Sequence, residues 1–129
     1  QSYEMKNKHR MSSLGKTWLF DLDGTIVKHN GYKIDGRDSL LEGAKAFLDA
    51  LPETDRIIFL TSRTMEYKDE TLIFLQSERI RYDQIIFGLP YGERILVNDN
   101  KPSGLKMSYA INTDRDVFMQ DKFVLDETL

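Results

Sequence analysis

The chain has 129 residues, 40% of them hydrophobic and 30% charged, which suits one soluble globular domain and lies outside the disordered class. A net charge of −3 gives no electrostatic reason to expect nucleic acid or an anionic membrane as partner. The absence of cysteine excludes disulfides, zinc–thiolate centres and a cysteine nucleophile, and no apolar run approaches the roughly 20 residues that span a bilayer.

Residues 1–16 carry Lys6, Lys8, Arg10 and Lys16 against Glu4 alone and show no periodicity. They read as a flexible basic arm or a cloning remnant ahead of a catalytic domain over 17–129. The arm lacks the apolar stretch of a secretory signal, so a cytoplasmic location is expected. Gln1 is not an initiator residue, which makes a longer parent chain an expectation as well.

From Thr17 the pattern changes. Trp18-Leu19-Phe20 is an apolar run that stops at Asp21, Ile57-Ile58-Phe59-Leu60 stops at Thr61, and Ile95-Leu96-Val97 stops at Asn98-Asp99. Short runs without polar alternation suit strands buried on both faces, hence a parallel sheet covered by helices. Between the first two runs a helix is expected over about 39–51, with Leu40, Leu41, Ala44, Phe47, Leu48 and Leu51 as its apolar stripe and Asp38 or Ser39 as its cap. A second helix is expected over about 65–79, capped by Thr64, with Leu72, Phe74 and Leu75 facing inward. Ile85-Ile86-Phe87 and Tyr109-Ala110-Ile111 complete the candidate strands in a βαβαββ order. Seven residues, Gly88 to Arg94, separate Phe87 from Ile95, too few for a helical crossover between parallel strands. That link is therefore irregular, or one of its strands is short or reversed. His9 and His29 lack metal-ligand spacing and read as surface residues, while Asn30-Gly31-Tyr32 reads as a turn or small flap.

Ligands of open parallel sheets bind at the carboxyl ends of the strands. If the strands are neighbours, Asp21, Thr61 and Asp99 share one crevice there. Asp21 and Asp23 are two residues apart, so in extended geometry both carboxylates lean to one side and repel unless a cation lies between them. A hard divalent ion, by default Mg²⁺ beside phosphate, answers that need. Asp-x-Asp-Gly-Thr can also be a mere turn, since Asp and Gly favour turns. By average composition four fixed residues recur by chance in about one chain in a thousand of this length, and the buried run before them lowers that further.

The stretch from Trp18 to Thr25 resembles the first motif of the haloacid dehalogenase (HAD) superfamily, an apolar strand followed by Asp-x-Asp-x-Thr. Ile57 to Thr61 is similar to its second motif and Leu96 to Asp99 to its acidic fourth, so the resemblance spans roughly residues 17–113. The helix opening Leu-Leu-Glu-Gly-Ala is also similar. Within the superfamily, Leu60-Thr61-Ser62-Arg63 and Asn98-Asp99-Asn100-Lys101-Pro102 resemble small phosphatases encoded with surface-polysaccharide genes.

The resemblance implies a three-layer Rossmann-like α/β fold with a mostly parallel sheet, and a Mg²⁺-dependent phosphatase acting on a phosphate monoester, a sugar phosphate of polysaccharide synthesis by analogy. It implies Asp21 as nucleophile forming an aspartyl-phosphate, and Asp23 as the acid and base. Thr61 would bond a phosphoryl oxygen, while Asp21, the Asp23 carbonyl and Asp99 would hold Mg²⁺. Two departures stand out. Asn98-Asp99-Asn100 offers one carboxylate where two are usual, and Leu89 stands where the upstream lysine of the third motif belongs. Lys101 is the first substitute for that cation, with Arg63 and Arg94 behind it.

Only about thirteen residues separate Thr25 from the first expected helix, so no cap domain fits there. An open site implies a large substrate, or a covering homo-oligomer or parent-chain domain; the expected partner is a small phosphorylated metabolite. Two other classes compete: a receiver-like phosphoacceptor, which would need its acceptor Asp after the third strand, and a non-catalytic or regulatory HAD-like partner module.

Overall fold

The computed structural model describes residues 7–129. The first six residues of the expected basic arm, Lys6 included, lie outside the described residues. In chain order the elements are β1 (Lys8–Met11), β2 (Thr17–Asp21), α1 (Gly31–Ile34), α2 (Ala44–Ala50), β3 (Arg56–Leu60), a 3₁₀ turn (Met65–Tyr67) leading into α3 (Lys68–Ser77), β4 (Gln84–Ile86) and β5 (Lys122–Leu125). The described residues divide into two compact units, one of Gly15–Tyr91 with Thr113–Met119, the other of residues 7–14 with Gly92–Asn112 and Gln120–Leu129.

The larger unit is α/β. Its sheet has the order β2-β3-β4, all parallel, with Trp18 opposite Ile57, Phe20 opposite Phe59 and Asp21 opposite Leu60. Apolar and aromatic residues form these strands because they pack well on a pleated surface. One face is a core. Phe20, Ile57 and Phe59 are buried, and Phe20 meets the rings of Phe47 on α2 and of Phe118 at 6.2 and 6.4 Å. On the other face Leu19 and Ile86 are exposed. Both-face burial, expected from the unbroken apolar runs, is therefore not what these strands show. The strand order explains it. Crossovers between parallel strands are right-handed, and three strands laid in succession carry both crossover helices on one side.

The helix expected over 39–51 forms only at Ala44–Ala50. Its first half is held extended: Leu40 bridges Val27, the Leu41 N–H donates to the Ile26 carbonyl at 2.9 Å and the Lys28 N–H to that of Ser39 at 3.0 Å. Gly43, at φ 91, turns the chain into the helix, so neither Asp38 nor Ser39 caps it. The second helix lies close to its expected span, but the Thr64 side chain makes no cap hydrogen bond.

In the smaller unit β1 and β5 pair in parallel, with His9 opposite Phe123. Part of the segment read as an arm is thus a strand. His9, read as a surface residue, is half-buried: it stacks on Phe123 at 5.1 Å, meets the edge of Tyr109 at 5.6 Å and bonds Asp121 at 2.6 Å. Arg10 pairs with Asp126, whose carboxylate also accepts from the Thr128 hydroxyl and N–H. The expected strands at 95–97 and 109–111 are irregular, and Ile95 and Val97 are 85% and 87% exposed. A strand persists where its N–H and C=O groups find a partner, and three apolar residues alone do not supply one. The link from Gly88 to Arg94 thus joins β4 to no further strand, and the difficulty of a seven-residue crossover does not arise.

Among the described residues no helix is long and apolar enough to cross a membrane.

Candidate active site

The carboxyl ends of β2 and β3 lie side by side in register, and the Leu22 N–H extends their pairing by donating to the Leu60 carbonyl at 2.8 Å. The chain then breaks away from the sheet. Gly24, at φ 85, turns it back so that its N–H donates to the Val27 carbonyl at 2.7 Å. A Cβ at Gly24 would meet Arg115 Cγ at 3.3 Å. The segment 113–119 locks this turn from outside: the Asp116 N–H donates to the Gly24 carbonyl at 2.8 Å, and its carboxylate accepts the His29 N–H at 2.7 Å.

Within this frame Asp21 and Asp23 take different partners. Asp21, half-buried, accepts the Thr25 hydroxyl at 3.0 Å, which gives that threonine the bracing position at the end of the motif. Asp23 accepts the Thr61 hydroxyl at 2.8 Å and the Arg63 guanidinium through Nη2 at 2.8 Å and Nε at 3.1 Å. The cation that offsets Asp23 is thus a side chain of the protein, two residues beyond Thr61. Thr61 is fully buried, and its Oγ also accepts the Arg63 main-chain N–H at 3.1 Å.

Arg63 is the centre of the constellation. Its side chain is 1% exposed, against 16% for Asp23 and 5% for Asp38. Nη1 and Nη2 donate to the two Asp38 oxygens at 2.9 and 2.7 Å, and Nη1 also donates to Thr71 Oγ on α3 at 2.9 Å. A guanidinium has five N–H donors, and these contacts account for all of them. Tyr32 on α1 lies over the guanidinium at 3.9 Å from the ring centroid, with the edge of Tyr67 against it at 4.9 Å. The Asn30-Gly31-Tyr32 segment, read as a turn or flap, is a helical turn that roofs Arg63. Burial alone would lower the pKa of Arg63, but its bonds to Asp38 and Asp23 outweigh that and raise it, so its charge is permanent. Burial likewise raises the Tyr32 phenol above its ordinary 10.0.

Asp99 and Lys101 belong to the smaller unit, where both are exposed in an irregular loop; the Lys101 N–H donates to the Leu105 carbonyl at 2.9 Å. Asp21 is a hard oxygen donor of the kind Mg²⁺ takes. Among the described residues, however, no three His, Cys, Asp or Glu side chains group to hold a metal ion.

No family model, curated protein or solved structure matches the chain. Sequence reasoning did not assign Asp38 or Thr71 to the site, and reached Tyr32 only as part of a turn or a small flap over it. No spacing signal marks Asp38 and Arg63, twenty-five positions apart, as a contact. Arg63 itself was visible, through its place two residues after the strand-ending Thr61.

Proposed function

We propose that the chain is a phosphate monoester hydrolase that works through an aspartyl-phosphate on Asp21, in an α/β fold resembling the HAD superfamily. The observation that carries this reading is the pairing at the ends of β2 and β3. Asp21 and Asp23 take different partners, Thr25 for Asp21 and Arg63 with Thr61 for Asp23. Two carboxylates with distinct environments can divide the work of nucleophile and proton carrier.

In the first step an Asp21 carboxylate oxygen attacks phosphorus while the bond to the ester oxygen breaks. Asp23 gives that oxygen its proton, and the alcohol leaves. In the second step Asp23 takes a proton from water, the water oxygen attacks phosphorus, and the bond to Asp21 breaks to release phosphate. Both Asp23 oxygens accept hydrogen bonds as the structure stands, so carrying a proton requires Asp23 to release one of them. Thr61, given a phosphoryl contact by the resemblance, serves here by holding Asp23.

A requirement for Mg²⁺ belongs to the same proposal and rests on the resemblance and on the negative charge at Asp21. The resemblance also carries the substrate class, a sugar phosphate, while the short link after Thr25 is the ground for a covering subunit or domain. p-Nitrophenyl phosphate hydrolysis with Mg²⁺ and with EDTA tests the reading. Turnover is expected only with the ion, and Asp21→Asn is expected to abolish both turnover and acid-stable phosphoenzyme. Wild-type protein with no hydrolysis of any phosphate ester, or phosphate trapped on a residue other than Asp21, would overturn it.

A further inference from the structure

We propose that Asp38 is a positioning residue for the reaction: it holds Arg63 so that the guanidinium's remaining edge keeps Asp23 aimed, and this inference rests on the hydrolase reading above. Arg63 presents two edges. One, Nε with one N–H of Nη2, faces Asp23 at 3.1 and 2.8 Å. The other, Nη1 with the second N–H of Nη2, faces Asp38 at 2.9 and 2.7 Å. Asp38 is the more deeply buried carboxylate of the two, and nothing in the proposed chemistry uses it.

A proton carrier must change its hydrogen bonds during each cycle. If Asp23 were the sole anion beside Arg63, the guanidinium would lose its counter-charge whenever Asp23 carried a proton, inside a site where an unpaired charge is costly. Asp38 removes that difficulty by keeping a counter-charge on Arg63 throughout. Thr71 Oγ and the Tyr32 ring fix the same group from α3 and α1, so Arg63 stays in place while Asp23 exchanges partners. Thr71 is itself anchored, its hydroxyl donating to the Tyr67 carbonyl at 2.6 Å. Asp38 thus acts two bonds away from the reacting atoms, through Arg63.

The test compares two leaving groups. p-Nitrophenol departs without a proton, whereas an alkyl alcohol needs one. Asp38→Asn is expected to slow single-turnover alcohol release, the phosphoenzyme-forming step, by at least about fiftyfold for an alkyl phosphate, within the range of a lost general acid, and by about fivefold or less for p-nitrophenyl phosphate. KM for both should stay within about twofold. Thr71→Val, which removes one Arg63 acceptor and keeps the side-chain volume, should show the same selectivity at smaller size. It also serves if Asp38→Asn fails to fold, the folded fraction being read from urea unfolding. An equal loss on both substrates in folded variants, or no loss, would overturn the role of Asp38 while leaving the hydrolase reading intact. A wild-type protein inactive on both esters would remove that reading, and the inference with it.

Discussion

Replacing Arg63 should cost more than any other single change in the larger unit's polar network, because the side chain is buried and fully paired. Arg63→Ala removes donors from two carboxylates at once and leaves Asp38, with a side chain 5% exposed, without its counter-charge. Breaking one partner out of a buried ion pair costs about 3–5 kcal/mol. Hydrogen bonds to charged groups are each worth about 1.5–3 kcal/mol, but Asp23 recovers some hydration through its 16% exposure. An overall loss of about 4 kcal/mol follows, a large part of the 5–15 kcal/mol that holds a typical domain. Arg63→Lys keeps the charge but offers three donors on a point ammonium for a five-donor fork, and should lose about 2 kcal/mol. Urea unfolding followed by the fluorescence of Trp18, the chain's one tryptophan, measures both; its indole N–H donates to Asp55 at 2.9 Å and reports on the sheet. A loss below about 1 kcal/mol for Arg63→Ala, the range of solvent-exposed pairs, would refute the claim that this network is buried and counter-charged.

Other changes have equally definite outcomes. Gly24→Ala should destabilise by about 1–2 kcal/mol in the same unfolding assay, since φ 85 is strained for any residue with a Cβ. The Thr128 hydroxyl, ahead of Arg10, lowers the Asp126 pKa from 3.8, so its contribution to stability is full above 3.8 and lost as pH falls through the lower folded value. A carboxyl titration by NMR should show that depression, and Thr128→Val should reduce it. Tyr32 has a raised pKa, so its contribution is full below pH 10.0 and lost as pH rises through the higher folded value; Tyr32→Phe should remove that alkaline loss in pH-dependent melts.

The parts of the fold that were legible in the sequence are those set by local chemistry. Trp18-Leu19-Phe20 and Ile57-Ile58-Phe59-Leu60 are strands because bulky apolar runs ending at turn residues have few other uses, and their parallel register puts Asp21 beside Leu60 and so one residue from Thr61. What failed depended on partners distant in sequence. Leu40 and Leu41 fit a helical stripe, yet the bonds from the Leu41 N–H to Ile26 and from the Lys28 N–H to Ser39 hold them extended, and no pattern of period 3.6 reveals that competition. Ile95-Leu96-Val97 has the composition of a strand, but composition does not provide a neighbour. Lys8–Met11 has none of that composition and is a strand because Lys122–Leu125 lies alongside it. The same distinction divides the site. The Asp-x-Asp-Gly-Thr turn announced itself, whereas Asp38 was a plausible helix cap until the chain brought it to Arg63.

That meeting also decides which cation is available to a phosphoryl group. Sequence reasoning placed Arg63 among the candidates to replace the missing upstream lysine. A guanidinium whose five N–H groups already reach Asp23, Asp38 and Thr71 has no donor left for phosphate without breaking a buried pair. Three carboxylates against this one arginine leave the constellation formally anionic, and a phosphate ester brings more negative charge to Asp21. At 4 Å and an effective dielectric of 20, each like-charge pair costs about 4 kcal/mol. Several such pairs would exceed what hydrogen bonds from Thr25 and neighbouring main chain can return. The charge that lets a phosphate approach Asp21 must therefore come from groups other than Arg63, which acts on the reaction through Asp23 instead of through the substrate.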